Sequence, residues 1–279
     1  MKKSIKTINL LLISAAIAVM AVSCELSSFP GTLFTTHQLT LDGGDHGSVS
    51  GTGEFYVGQD ITISATPEPG YKFIEWEGDV HAIDGFDASS DEKQSLSMPS
   101  EDVTLTARWG QLEIGDIGPA GGWIFYIDEA DEHDWTFLEA APSGWYEGSQ
   151  DPTAEWGDHG TQIGGDANES GIGYGWAASV AIVSHMDGEG ITGTAAQLCE
   201  ALVIVHNGTI YDDWFLPSIG ELDKMNENLH LNSVGDFENQ RYWSSTESGG
   251  SYAEVRFFGG LAMGRSKNDH WHVRPIRSF

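Results

Sequence analysis

Two runs, ITISATP at 61–67 and VTLTARW at 103–109, alternate apolar and polar side chains residue by residue. A period of two places every apolar side chain of a run on one face, so each run suits a strand with one buried side. Gly and Pro punctuate the stretches between them, which predicts a β-rich module over residues 38–109. From Gly110 the texture changes. GGWIFYID (121–128) and WTFLEAAP (135–142) read as strands, and 143–175 is rich in Gly and Asp and reads as loop. Helical patterns follow at 176–186 and 194–203, and a third helix starts near Ser218. Four strand-like runs near 241–247, 252–259, 261–267 and 272–279 close the chain. With 35 Gly and 10 Trp in 279 residues, the expectation is a turn-rich α+β protein held by large aromatic anchors.

The first 24 residues carry a different signal. Lys2, Lys3 and Lys6 precede an apolar run from Leu10 to Val22, too short to span a bilayer. The run ends in AVSC (21–24), which resembles the lipobox of bacterial lipoproteins. The resemblance implies a signal peptide over 1–23, cleavage before Cys24, and a diacylglyceryl group on its thiol. The acylated Cys24 would anchor the protein to a lipid bilayer. Residues 24–37 read as lipidated cysteine and tether. The expected location is the bacterial cell envelope, extracytoplasmic, at the outer membrane or cell surface. Residue 25 is Glu, so the familiar inner-membrane retention signal is not obvious. Formal charge is -29, and losing the three leader lysines takes it to about -32. Such a body repels nucleic acid and anionic membrane surfaces. Cys199, in TAAQLCEAL, reads as a buried, inert thiol.

The stretch DDWFLPSIGELDKM (212–225) uses catalytic residue types: Asp212, Asp213 and Ser218. It has a structural reading too. Ser218 followed at three residues by Glu221 is a capping box, and Ile219, Leu222, Met225 and Leu229 recur at helical spacing. A nucleophilic serine would need a base and an elbow such as G-x-S-x-G, a pattern absent from the chain. The expectation is a helix start. GEGITG (188–193) imitates a dinucleotide fingerprint but lacks further βαβ units, so it reads as a hinge between helices.

The order GSVSGTGEFYVGQDITISATPEPGYKFIEWEGD…LSMPSEDVTLTARW resembles the divergent internalin-type B-repeat family across nearly all of 38–109. That family implies a small β module serving as spacer or stalk, with Tyr71, Phe73 and Trp76 as core aromatics; one copy makes one spacer. YDDWFLPSIGELDKMNENL, YWSSTES and VRPIRSF, with GDIGPAGGWIFY and FLEAAPSGW upstream, resemble the Legionella collagen-like protein C-terminal domain family over about 112–279. This resemblance implies a C-type-lectin-like domain over 110–279, with an antiparallel sheet and about three helices. A few members of that family are adhesins. Many relatives carry a second cysteine where this chain has Ser184-His185-Met186, so a disulfide there is lost.

Metal chemistry has thin support. Asp269, His270 and His272 offer ligand types, and strand spacing would put His270 and His272 on one side, but no third ligand is evident to join that pair. DEADEHD (128–134) lacks the spacing of an EF-hand loop, and the Glu-Pro-Asn and Trp-Asn-Asp patterns of calcium-dependent C-type lectins are absent. No cofactor is expected; calcium stays open without a motif. The paired cysteines of formylglycine-generating enzymes are missing too. Charge distribution says more. Arg241, Arg256, Arg265, Lys267, Arg274 and Arg277 gather in the last strands beside only Glu247, Glu254 and Asp269. Guanidinium groups among aromatic rings suit an acidic or sulfated glycan. Trp243, Tyr252, Arg256, Arg265 and Trp271 are therefore the expected ligand-binding residues. Alternatively these cations pair with the acidic body, with Arg274 and Arg277 tying down the last strand. The functional expectation is a non-enzymatic surface protein binding a glycan or a host or matrix ligand, with oligomerisation open. The alternatives are a structural, protein-interacting envelope protein and a metal-dependent hydrolase.

Overall fold

A computed structural model describes residues 35–89, 92–146, 148 and 150–279. The expected signal peptide, Cys24 and the expected tether up to residue 34 lie outside the described residues. The alternating runs form strands as expected. In the first half these are β1 (Thr36–Asp42), β2 (Gly47–Ser50), β3 (Gly53–Tyr56), β4 (Asp60–Pro67), β5 (Tyr71–Gly78), β6 (Lys93–Ser97) and β7 (Val103–Gln111). They make two sheets, ordered β3-β1-β7-β5 and β2-β4-β6. Ile61, Ile63 and Ala65 of β4, and Val103, Leu105 and Ala107 of β7, point into one core with Leu39 and Trp76. Their Thr and Ser neighbours point outward, which is the period-two pattern at work. Of the expected core aromatics, Trp76 is central and Phe73 packs at its margin. Tyr71 is a correction: at the first position of β5 it stacks on His46, with ring centroids 4.0 Å apart, outside the core cluster.

The second half mixes strands and helices. Strands β8 (Trp123–Ile127) and β9 (Phe137–Ala140) form a hairpin, and β10 (Thr153–Ala154) follows. Then come α1 (Gly175–Glu189), α2 (Ala195–Glu200), the small hairpin of β11 (Ile204–His206) and β12 (Thr209–Tyr211), and α3 (Ile219–Asn228). The chain closes with β13 (Arg241–Gly249), β14 (Tyr252–Phe257), β15 (Ala262–Ser266), β16 (Trp271–His272) and β17 (Ile276–Ser278). A five-stranded sheet runs β10-β16-β13-β14-β15, and a three-stranded one runs β17-β9-β8. The class is α+β, rich in strands, with three α-helices among the described residues and mostly antiparallel sheets.

Ser218 caps α3 from both sides. Its hydroxyl accepts the Glu221 N–H at 3.2 Å, and its own N–H donates to Glu221 Oε2 at 2.6 Å. Leu222, Met225 and Leu229 then bury one stripe against Phe125, Tyr242 and Phe258. On the other side, Ile182, Val183 and Met186 of α1 pack with Trp156, Trp243 and Val255. Gly190 ends α1 in the left-handed region (φ 72°), which only glycine adopts without a steric cost, and opens the hinge to α2. Two expectations need correction. The helical run at 194–203 is ordered as helix only through Glu200. The last strand-like run is two strands in different sheets. Pro275 lies between them, has no N–H to give a ladder, and marks where the chain leaves one sheet for the other.

Candidate ligand-binding face

The basic residues of the last strands divide by burial. Arg274 Nε donates to Asp151 Oδ1 at 2.7 Å, its Nη1 reaches the carbonyls of Ala141 and Gly235, and its plane lies over Phe237. Asp151 also accepts from the Trp145 indole and the Tyr242 hydroxyl, so its lone pairs are well used. Arg277 pairs with Asp213 and also reaches Glu139, whose carboxylate accepts the N–H groups of Ala120 and Gly122. Lys267 pairs with Glu247. These three cations serve the interior, as the alternative reading of the charge distribution expected. Burial is tolerable because every charge has a partner.

The five expected site residues do not share a face. In an antiparallel pair, residues in register project to the same side, and successive residues alternate. Arg256 is paired with Tyr242, so Tyr252, Glu254 and Arg256 take the side facing α3. Trp243 pairs with Val255, Arg265 with Ala253 and Arg241 with Phe257, so these take the opposite side. Trp243 is a correction outright. It is fully buried, and its indole N–H donates to the Ala154 carbonyl at 2.9 Å, so no ligand can stack on it. Arg256 is mostly covered and lies 3.3 Å from Asp223 of α3, an ion pair without hydrogen-bond alignment. Tyr252 is 55% exposed, but on a different side from Trp271.

The opposite side brings together a group that the charge count only hinted at. The Arg241 guanidinium sits 5.1 Å from the Phe257 ring centroid and 5.0 Å from that of Trp271, so three neighbouring strands build one cation–aromatic sandwich. All three residues are partly exposed. Arg241 has no acidic partner among the described residues, and neither Arg241 Nε nor Trp271 Nε1 makes a hydrogen bond. Met263 and Arg265 continue this side on β15, and Leu198 of α2 packs, like Trp271, against the same core cluster. Arg241 was legible as a base two residues before Trp243, on the same side of a strand, but its neighbours come from strands far along the chain. Sequence reasoning also missed Trp176, 60% exposed near the start of α1, with Val180 one turn on.

The catalytic-looking residues have other uses. Ser218 donates its hydroxyl proton to the Gly171 carbonyl at 2.7 Å. Glu221 is fully buried and also accepts the N–H groups of Gly173 and Gly175; burial pushes its carboxyl up to about 7, against the lowering effect of those bonds. His272 Nδ1 contacts the Asp151 carbonyl at 3.1 Å. In DEADEHD, Asp128 accepts the His133 N–H and approaches its ring, closing a turn. Among the described residues, no three His, Cys, Asp or Glu side chains converge as a metal group would require. No helix of the described residues is long and apolar enough to cross a membrane.

A family model matches the seven-stranded module. Residues 37–112 match the divergent InlB B-repeat domain family. The match ends with β7 and leaves the second half to be read from its own geometry. No curated protein matches the chain. A fimbrial protein from Bacteroides ovatus ATCC 8483 is similar at 12% identity and a TM-score of 0.38, covering 88% of this chain and 69% of that one. A likeness at that level carries no argument about role.

Proposed function

We propose that this chain is a lipoprotein of the bacterial cell envelope that binds a glycan or other extracellular ligand and catalyses no reaction. In this reading the B-repeat is a spacer carried by the acylated Cys24, and residues 110–279 are a C-type-lectin-like head. The carrying observation is Arg241 between Phe257 and Trp271, a partly exposed cation on aromatic faces in a chain of formal charge -29. Flat rings suit the C–H faces of a sugar, and a forked guanidinium suits a carboxylate or sulfate. The reading is supported further by the structural employment of Ser218, Asp213 and Glu221, the side chains a hydrolase would need. Revised by burial, the site is Arg241, Phe257, Trp271 and Arg265. A glycan and matrix-protein array probed with the purified chain, with and without calcium, tests it. Binding to acidic or sulfated glycans, lost on Trp271→Ala, is the expected result.

A second reading has its own observation. The β11–β12 hairpin turns through Asn207 and Gly208, both at positive φ, and presents its cross-strand pair Val205 and Ile210 at 67% and 64% exposure. An apolar pair held out on a tight turn suits contact with another protein in the envelope. An empty array together with a concentration-dependent oligomer in sedimentation would favour it.

A further inference from the structure

At the far end of β13 from Arg241, one loop is wrapped around a single ammonium group. Lys267 Nζ lies 2.5 Å from Glu247 Oε1, 2.7 Å from the Thr161 carbonyl oxygen and 3.5 Å from that of Asp158. The Trp156 ring centroid is 4.5 Å away. Three oxygens thus receive the three protons that an ammonium can donate. Both side chains of the pair are wholly buried. Glu247 accepts the N–H groups of Ile163 at 3.0 Å and Gly164 at 2.8 Å. The Lys267 carbonyl accepts those of Trp156 and Gly157, and its N–H donates to Ser251. The Asp158 carboxylate turns elsewhere, to His185 Nε2 at 2.9 Å. Residues 156–164 contain no helix or strand of their own, so these bonds define their course.

One carboxylate oxygen and two peptide carbonyls are hard oxygen donors, the kind that calcium or sodium gathers in a loop. Here the positive charge arrives on a side chain. We propose that Lys267 Nζ fills a cation site of the 156–164 loop, so that a tethered ammonium orders this part of the molecule in place of a free metal ion. The ammonium adds a cation–π attraction to the Trp156 ring, which an uncharged aliphatic residue would lack. A loop so built keeps its shape when calcium is scarce, so its order is uncoupled from the ionic conditions outside a cell.

The test uses the purified full chain in calcium and in chelator, read by hydrogen exchange of the 156–164 amides and by Tm. In the wild type both readouts should be the same in the two buffers. Slower exchange of those amides in calcium would overturn the proposal, and this arm needs no variant. Lys267→Ala should lower Tm by roughly 10 °C, because it leaves a buried carboxylate unpaired. Added calcium or ethylammonium should restore part of that loss by entering the vacated space. Lys267→Met, which fills the space with an apolar chain, should be as unstable and gain nothing from either ion. Failure of both ions to rescue Lys267→Ala, or a Lys267→Met form as stable as the wild type, would overturn it equally.

Discussion

Arg277 holds Asp213 with both arms of its guanidinium, Nε to Oδ1 at 2.8 Å and Nη2 to Oδ2 at 2.9 Å, across 64 residues of sequence. This contact decides what the paired acids at 212–213 are for. One of them fastens the last strand, and the same guanidinium neutralises the buried Glu139 behind it. Removing the two ends of the pair should therefore have unequal effects. Arg277→Ala leaves Glu139 buried without its cation and should cost about 3–5 kcal/mol. Asp213 is half exposed, so Asp213→Asn should cost about 1 kcal/mol or less. Urea denaturation of both variants checks the ratio.

Glu221 predicts a slope in stability with pH. Its folded carboxyl stands at about 7 against the ordinary 4.5, with burial as the first cause. The folded state therefore holds a proton that the unfolded state has released between those values. The contribution is fully present below about 4.5 and is lost as pH rises through about 7, an effect of a few kcal/mol. Glu221→Gln should flatten that part of a plot of urea midpoint against pH. The cap itself should survive, because Gln can still accept the Ser218 N–H as Gln197 accepts that of Thr194. An unchanged slope in the variant would show that other groups cause it.

Ligand binding should follow the faces of the five-stranded sheet. Arg241→Ala and Trp271→Ala should each weaken binding to any acidic glycan found by about ten-fold or more, because they remove the cation and one ring of the sandwich. Tyr252→Ala, on the other side, should leave affinity within about two-fold. Trp243→Ala should act on folding instead, by about 3–5 kcal/mol, since it empties a core position. Calorimetric titration and thermal melts of the four variants separate the two effects.

Cys199 should resist thiol reagents in the native protein. It is fully buried on α2, and burial pushes its thiol well above the ordinary range, so thiolate is scarce and out of reach. A chromogenic disulfide should modify it only beyond the unfolding midpoint. Cys199→Ser should destabilise the chain by about 1–3 kcal/mol by burying a hydroxyl among apolar neighbours.

Much of the fold was legible because local rules act within a few residues. The capping box at Ser218 and Glu221, the alternation in β4 and β7, and the hinge at Gly190 each express such a rule. The candidate site was less legible because it depends on layers. In β13 six consecutive residues are buried, since α1 covers one side of the sheet and α3 the other. Period two then ceases to separate inside from outside. Trp243 and Trp271 look alike in sequence, yet one is in the core and the other at its rim. Arg274 and Arg241 look alike as well. Only the first meets a carboxylate, Asp151, 123 residues away.

The order of the first sheet has a mechanical consequence. Strands β1 and β7 are neighbours and run parallel, with Leu39 beside Val103 and Asp42 beside Thr106. The chain therefore comes into the module at one end of this strand pair and leaves at the other. If the chain were held before β1 and pulled beyond β7, the tension would slide β1 against β7 along their length. Their backbone bonds would bear the load together in shear, where a hairpin pulled from one end unzips a bond at a time.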